Sequence, residues 1–208
     1  MLLLFVALFF AWLALREVRS ARRCVDGFNQ LSKIYVSICL ILAVWAAWGP
    51  LNTLRFEYYL SNKATQIVDV PASVHCNSAF DSIFDNKVGR AGHANPLTGD
   101  IVLQLGWCEK LMEYLNSPTQ ATRRERYSLM LFTHEVMHIK GELNEQKTEC
   151  QAIQRNHIVG EILGIPKYLA KQHTQQYFKK DFPMHPYYSE KCGPGKAYDE
   201  KLPDSIWE

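Results

Sequence analysis

Two histidines and a glutamate have the types and spacing of a metal site. His134, Glu135 and His138 form the motif H-E-x-x-H within a segment that predicts a helix. Histidines four positions apart lie one turn apart on a helix, about 6 Å along its axis, so both imidazoles can reach one zinc ion. Glu135 would then lie beside the open coordination position, where it can take a proton from zinc-bound water. The motif therefore predicts a Zn2+ site with Glu135 as the catalytic base.

The residues around this motif are mostly apolar. H-E-x-x-H also occurs by chance on exposed helices, so its surroundings decide how it is interpreted. Here they favour a helix buried at the centre of a domain over two histidines on a surface helix. The apolar neighbours are Leu129, Met130, Leu131, Phe132, Val136, Met137 and Ile139.

A catalytic zinc ion needs a third protein ligand, and two glutamates follow the motif. Gly141 ends the motif helix, and Glu145 and Glu149 come next, four positions apart on one face of a second helix. In an antiparallel hairpin both carboxylates can approach the histidine pair. Helical side chains lean toward the N-terminus of their own helix, and this geometry slightly favours Glu149 as the ligand.

These residues resemble the zincin metallopeptidases, and within them the gluzincins. The resemblance implies a zinc ligand supplied by a glutamate on a following helix, often as Asn-Glu, with another acid four residues later that orients a zinc-bound histidine. Asn144, Glu145 and Glu149 match that arrangement, so the resemblance implies Glu145 as the ligand and Glu149 as the orienting residue. Both assignments stay open at this point. Only six residues separate His138 from Glu145, fewer than is usual in gluzincins.

A looser resemblance extends to small membrane-anchored predicted metallopeptidases of bacteria. These have a cysteine beside the glutamate of the second helix, as Cys150 lies beside Glu149 here. The close resemblance covers residues 129–152, and the rest of the chain is similar only in its layout. It implies a zincin-like domain that acts on a peptide or protein substrate.

Start and stop signals place these residues on three consecutive helices. Thr122 and Glu125 have the spacing of a capping box and predict a helix from about residue 121 to residue 140. A second helix is predicted over residues 144–163, and a third over residues 167–180.

The segment before the motif helix predicts a small amount of sheet. Ile101–Leu105 could bind a substrate by strand addition, or could be an ordinary core strand. Together with the helices, this predicts an α+β, mostly helical fold, with the H-E-x-x-H helix packed on a following helix and a short sheet. The predicted elements are a strand over residues 66–70, a helix over 78–86, a Gly, Asn and Pro rich loop over 89–100, a strand over 101–107 and a helix over 108–115.

Two apolar runs near the start predict a membrane anchor. Residues 1–15 and 34–51 contain no charged side chain, and each predicts a membrane helix, although a removable signal peptide is an alternative for residues 1–15. The loop between them, residues 16–33, has five basic and two acidic residues, so we expect it in the cytoplasm. The sequence therefore predicts a membrane anchor over residues 1–51 and an extracytoplasmic domain over residues 52–208, at a plasma or inner membrane.

Four cysteines fall on the side predicted to be outside the cytoplasm, where disulfides persist. We favour the local pairings Cys76 with Cys108 and Cys150 with Cys192 over the other connectivities. Four unpaired buried thiols are the alternative.

Composition excludes one class of function. The chain has 208 residues with 23 Lys and Arg against 21 Asp and Glu, and no long basic run, which argues against nucleic-acid binding. The expected partners are a peptide or protein substrate and the lipid bilayer. Further residues that could donate to an oxyanion, none of them assigned, are His157, His173, His185, Tyr177 and Tyr187.

The leading hypothesis is a membrane-anchored zinc metallopeptidase in which Glu135 activates water bound to zinc. The alternative is a catalytically inactive, zinc-stabilised interaction module. A structural zinc site needs a fourth protein ligand, and His157 is the nearest spare candidate.

Overall fold

The computed structural model describes residues 2–23, 29–77, 91–104 and 106–207. The chain divides into two compact units, Met1–Phe56 and Glu57–Glu208. The helix predicted over residues 78–86 lies outside the described residues.

The N-terminal unit is helical. Helix α1 spans Leu2–Ala21, and helix α2 spans Gln30–Val68 and continues into the second unit. Both helices extend into the segment 16–33, which the sequence predicts as a basic loop between the two apolar runs. Among the described helices, α2 is the one that is long and apolar enough to cross a membrane. Every 18-residue stretch of α1 includes three charged residues, Arg16, Glu17 and Arg19.

The last turns of α2 replace the strand predicted over residues 66–70. Leu60, Ala64 and Val68 recur every four residues and are all buried, so the helical period prevails over the β-branched composition of this segment. Asp69, with a φ of 59°, ends the helix. The Ser61 hydroxyl then accepts a hydrogen bond from the N–H of Val74 at 2.8 Å, which ties α2 to the sheet.

Three short strands form that sheet. They are β1 (Ser73–Cys76), β2 (Gly92–Asn95) and β3 (Asp100–Leu103), in the order β1-β3-β2. β1 is parallel to β3, and β2 is antiparallel to it.

The sheet corrects one predicted strand boundary and decides between the two alternatives left open for Ile101–Leu105. The strand predicted over residues 101–107 ends at Leu103, because Gly106 has a φ of 81° and the next helix begins at Trp107. β3 is also the central strand of the described sheet, so Ile101–Leu103 fits the alternative of an ordinary core strand and is not an edge that could accept a substrate strand. The predicted loop over residues 89–100 instead contains β2, an outer strand of the sheet.

The helices after the sheet confirm the sequence pattern. They are α3 (Trp107–Asn116), α4 (Arg123–Ile139), α5 (Glu145–Ile162) and α6 (Lys167–Lys180). The capping box is present at the start of α4, since the side chains of Thr122 and Glu125 each accept the other's backbone N–H. Helix α4 packs against α3, α5 and the sheet, and its residues from Ser128 to Met137 are all buried.

Two disulfides join distant parts of the second unit. Cys76 pairs with Cys108 and links β1 to α3, and Cys150 pairs with Cys192 and links α5 to the C-terminal segment. These are the pairings that the sequence favours. The second unit is thus mostly helical with one small three-stranded sheet, an α+β arrangement.

Candidate metal centre

A tight turn between α4 and α5 sets the register of the site. Gly141, at a φ of 98°, makes the turn in a conformation that side chains other than glycine rarely adopt. The Asn144 side chain then accepts a hydrogen bond from the N–H of Lys147 and caps α5. After this short connection α5 packs against α4.

In this register two side chains of α5 face the two histidines of α4. His138 Nε2 lies 3.3 Å from Glu145 Oε2, and one turn further His134 Nδ1 lies 2.7 Å from Glu149 Oε2. His134 Nε2 also lies 3.1 Å from Glu145 Oε2. Glu145 therefore reaches both histidines, whereas Glu149 contacts His134 from behind.

Three side chains form a group that could hold a metal ion. The ligand atoms of His134, His138 and Glu145 all lie within 4.8 Å of one another. The His134 and His138 ring centroids are 4.8 Å apart. Two imidazoles and a carboxylate suit a transition metal such as zinc better than a hard oxygen-seeking cation.

The other ring nitrogen of each histidine is occupied by a hydrogen bond. His138 Nδ1 donates to the carbonyl oxygen of Glu142 at 2.7 Å, and His134 Nδ1 donates to Glu149 Oε2. These bonds orient both rings so that each Nε2 lone pair faces the cluster. A carbonyl or carboxylate behind a metal-binding histidine fixes its tautomer and raises its basicity.

The partner of His134 is a buried carboxylate. Burial favours the neutral form of Glu149, but the hydrogen bond and charge of His134 outweigh it and lower the pKa of Glu149. Burial likewise opposes protonation of His134, yet Glu149, Glu135 and Glu145 together raise the pKa of this imidazole. The Tyr177 hydroxyl donates a further hydrogen bond to Glu149 Oε1. Glu149 is therefore held as a carboxylate by His134 of α4 and Tyr177 of α6.

The direction of side chains along a helix favours Glu149 as the ligand, but the structure groups Glu145 with the two histidines. Glu145 is the first residue of α5 and lies opposite His138, with its side chain partly exposed. Glu149 lies one turn deeper, opposite His134, where Tyr177 holds its other oxygen. The helix register brings Glu145, and not Glu149, within reach of both histidines.

Glu135 lies between the cluster and the sheet. Its side chain is 4% exposed and lines the same cleft as the three ligand residues. A Cβ built on Gly92 of β2 would lie 3.1 Å from Glu135 Oε1 and 3.1 Å from the carbonyl oxygen of Val102. The absence of a side chain at Gly92 thus lets the β2 backbone approach the Glu135 carboxylate. Neither β2 nor the role of Gly92 is predicted from the sequence, which indicates a loop here.

The cleft has a volume of about 400 Å3 and three walls. α4 and the start of α5 form one wall, β2 forms the second, and His185–Tyr187 form the third. The Tyr187 ring stacks on His134 with centroids 5.6 Å apart and planes 19° apart. The His185 Nε2 atom lies 3.2 Å from the Tyr127 hydroxyl, and burial lowers the pKa of His185.

The five unassigned histidines and tyrosines separate into two groups. His185 and Tyr187 line the cleft that contains His134, His138 and Glu145, which we call the metal cleft. Tyr177 donates a hydrogen bond to Glu149. His173 instead shares a hydrogen bond of 2.7 Å between its Nδ1 atom and the Tyr114 hydroxyl. His157 is fully buried, and its Nε2 atom lies 3.4 Å from Asp204 Oδ2. The Cys150–Cys192 disulfide is a sequence signal for the first group, since it brings the chain just before Cys192 close to Glu149.

Comparison with known proteins finds no matching family model, no matching curated protein and no matching solved structure. The chemistry of the site is therefore inferred from its geometry. Two imidazoles and one carboxylate converge on one point, and a second carboxylate, Glu135, lies in the same cleft. A donor set of this kind can hold a metal ion that keeps an open coordination position.

Proposed function

We propose that the chain is a zinc-dependent metallopeptidase of the zincin type. The observation that carries the proposal is the convergence of His134, His138 and Glu145, with Glu135 in the same cleft. Three protein ligands are the number typical of catalytic zinc, whereas structural zinc has four. His157, the fourth ligand that an inactive module would need, lies against Asp204.

Several residues of the cleft would have separate roles in peptide hydrolysis. Zinc, when bound, supplies a Lewis acid that lowers the pKa of water and polarises a carbonyl group. Glu135 acts as the general base, taking a proton from the attacking water and delivering it to the leaving amine. Glu149 keeps His134 oriented. Tyr187 and His185 lie on the opposite wall, where a hydroxyl or an imidazole N–H can donate to the developing oxyanion.

Strand β2 is the surface on which the substrate lies in this proposal. It is an outer strand of the described sheet, it lines the cleft, and its backbone approaches Glu135 at Gly92. A peptide paired with β2 would present its carbonyl groups to the cleft by strand addition. This assigns to β2 the role that the sequence suggests for Ile101–Leu105.

The test compares the full-length chain in detergent with Glu135→Gln and with the exposed control Glu109→Gln. We expect all three proteins to bind one zinc per chain, and only Glu135→Gln to lose cleavage of a mixed peptide library, by roughly a thousandfold or more. Zinc in all three proteins without cleavage by any would favour the inactive interaction module. Failure of the wild type to bind zinc would refute both functions.

We further propose that α2 anchors the chain in a membrane with the second unit outside the cytoplasm. Residues of α2 such as Ile41, Val44 and Trp45 are exposed apolar side chains, which suit a lipid environment. The two disulfides of the second unit suit an oxidising compartment.

A C-terminal epitope tag tests this topology. The tag should be digested by protease in right-side-out vesicles and protected in inverted ones, and alkaline carbonate should leave the chain in the membrane. The reverse protection pattern, or extraction by carbonate, would contradict the proposal.

A further inference from the structure

A second cleft adjoins the metal cleft. Its volume is about 680 Å3, and it lies between the first turns of α4 and the last turns of α6. The two clefts share four lining residues, Tyr127, Met130, His185 and Pro186. The two clefts therefore lie side by side, on either side of these four residues.

The second cleft is strongly basic. Three arginines of α4 and one lysine of α6 line it, against a single carboxylate. That carboxylate, Asp181, is paired with Arg123. The cations are Arg123, Arg124, Arg126 and Lys180, and we call this site the arginine cleft.

The position of the arginines is unfavourable for the helix itself. Arg123, Arg124 and Arg126 occupy the first, second and fourth positions of α4, at the positive end of its dipole, where acidic residues are preferred. Glu125 is the one acid of this turn, and it is engaged in the capping box. Residues that oppose a local preference tend to mark functional sites. An anionic ligand would offset this accumulation of positive charge.

We propose that the arginine cleft binds an acidic side chain of the peptide substrate, several residues from the bond that is cleaved. The proposal rests on the proposed peptidase function and adds a substrate preference to it. Guanidinium groups bind carboxylates in a planar, charge-assisted geometry, which makes an arginine cluster selective for acidic groups.

Helix geometry sets the expected spacing. Arg126 and Arg124 precede His134 by eight and ten positions, or about 12 and 15 Å along α4. An extended peptide rises about 3.3 Å per residue. The acidic residue should therefore lie about four or five residues from the bond at the metal centre.

The shape of the site favours a peptide over an anionic lipid surface. The arginines line a concavity that shares a wall with the metal cleft. A membrane surface is recognised by basic groups on an exposed face, and Arg123, Arg124 and Lys180 are also exposed. Lipid binding is therefore the competing outcome in the test.

The test uses the full-length, zinc-loaded chain and a set of fluorescent peptide hydroxamates. Each peptide has a hydroxamate to hold the metal, a spacer of one to six alanines, and either Glu-Glu or Gln-Gln, in both chain directions. We expect the Glu-Glu peptide to bind roughly tenfold more tightly than its Gln-Gln counterpart at a spacer of three or four alanines, measured by fluorescence anisotropy. Arg124→Gln/Lys180→Gln should abolish this difference.

The control Lys179→Gln/Lys196→Gln removes two exposed lysines that do not line the arginine cleft, and should preserve the preference. Equal binding of Glu-Glu and Gln-Gln peptides at every spacer would overturn the proposal. So would loss of anionic-vesicle binding, with unchanged peptide binding, in Arg124→Gln/Lys180→Gln.

A Glu-Glu peptide without hydroxamate separates this proposal from the proposed function. If it binds the wild type and not Arg124→Gln/Lys180→Gln while the Gln-Gln hydroxamates fail to bind, the acidic site stands and the metal function fails. If hydroxamates bind regardless of the acidic pair, the metal function stands and the acidic site fails.

Discussion

Glu149 Oε2 accepts a hydrogen bond of 2.7 Å from His134 Nδ1, the ring nitrogen opposite the one that faces Glu145. The two glutamates of α5 therefore have different relations to the same imidazole. Glu145 lies where a ligand would be, and Glu149 orients the ring. This difference can be measured.

Removal of Glu145 should reduce metal affinity more than neutralisation of Glu149. Glu145→Ala deletes one of three ligands, so zinc affinity should fall by more than about a hundredfold. Glu149→Gln keeps a hydrogen-bond acceptor and loses only the charge behind His134, and a loss of about 10- to 100-fold is expected. Competition with a chromophoric zinc chelator measures both. A larger loss in Glu149→Gln than in Glu145→Ala would reverse the assignment of the two residues.

Gly92→Ala should impair catalysis without impairing metal binding. The new Cβ would lie 3.1 Å from Glu135 Oε1 and from the Val102 carbonyl oxygen, so the catalytic carboxylate or β2 must shift. Misplacement by a fraction of an ångström to 1 Å costs up to about a hundredfold in rate, and we expect a 10- to 100-fold fall in kcat. Peptide turnover and zinc affinity should be measured on the same samples. A fall in zinc affinity as large as the fall in kcat would show that the effect is not specific to Glu135.

The two disulfides should contribute similarly to stability and differently to function. Cys76–Cys108 and Cys150–Cys192 close loops with sequence separations of 32 and 42, so removing either by paired Cys→Ala changes should cost about 4 kcal/mol of unfolding free energy in the chain-entropy model. Only the second holds the segment that carries Tyr187 near His134. Peptide turnover, measured where each variant is still folded, should therefore fall more for Cys150→Ala/Cys192→Ala. Equal losses of turnover would contradict this.

Acidification should destabilise the second unit through His173. Burial, followed by the charge of Arg126, lowers the pKa of His173 from 6.5 to about 4. Below pH 6.5 the unfolded chain binds a proton that the folded chain does not, so the contribution of His173 to stability is complete above pH 6.5 and is lost as the pH falls to about 4.

The size of this effect follows from the shift and the exposure of the ring. Because the ring is only partly buried, solvent screening reduces by about half the unfolding free energy that this pKa shift would give. Roughly 1–2 kcal/mol remains. Urea unfolding at pH 7 and pH 4 should show a smaller pH dependence for His173→Gln than for the wild type. The same change in unfolding free energy between pH 7 and pH 4 in both proteins would refute the role of this histidine.

Much of the site was predictable because its determinants are local. Thr122 and Glu125 lie three residues apart, and the four-residue spacing of His134 and His138 places both imidazoles on one face of any helix they form. Gly141 and Asn144 end one helix and begin the next by backbone conformation and capping alone. Interactions of this kind depend on a few neighbouring residues, so the sequence by itself determines the hairpin that carries the ligands.

Longer-range packing decided what the sequence left open. The register of α4 against α5 places Glu145, rather than Glu149, at the ligand position. The sequence predicts a loop over residues 89–100, but β2 pairs with β3 there and forms a wall of the cleft. This pairing also brings the Gly92 backbone close to the Glu135 carboxylate. No local pattern encodes these contacts, because each depends on how elements far apart in the chain fill a shared core. The sequence by itself therefore determined the helices after the sheet, the ends of the hairpin and the spacing of the two histidines, and only the tertiary structure decided which carboxylate faces both histidines and what surrounds them.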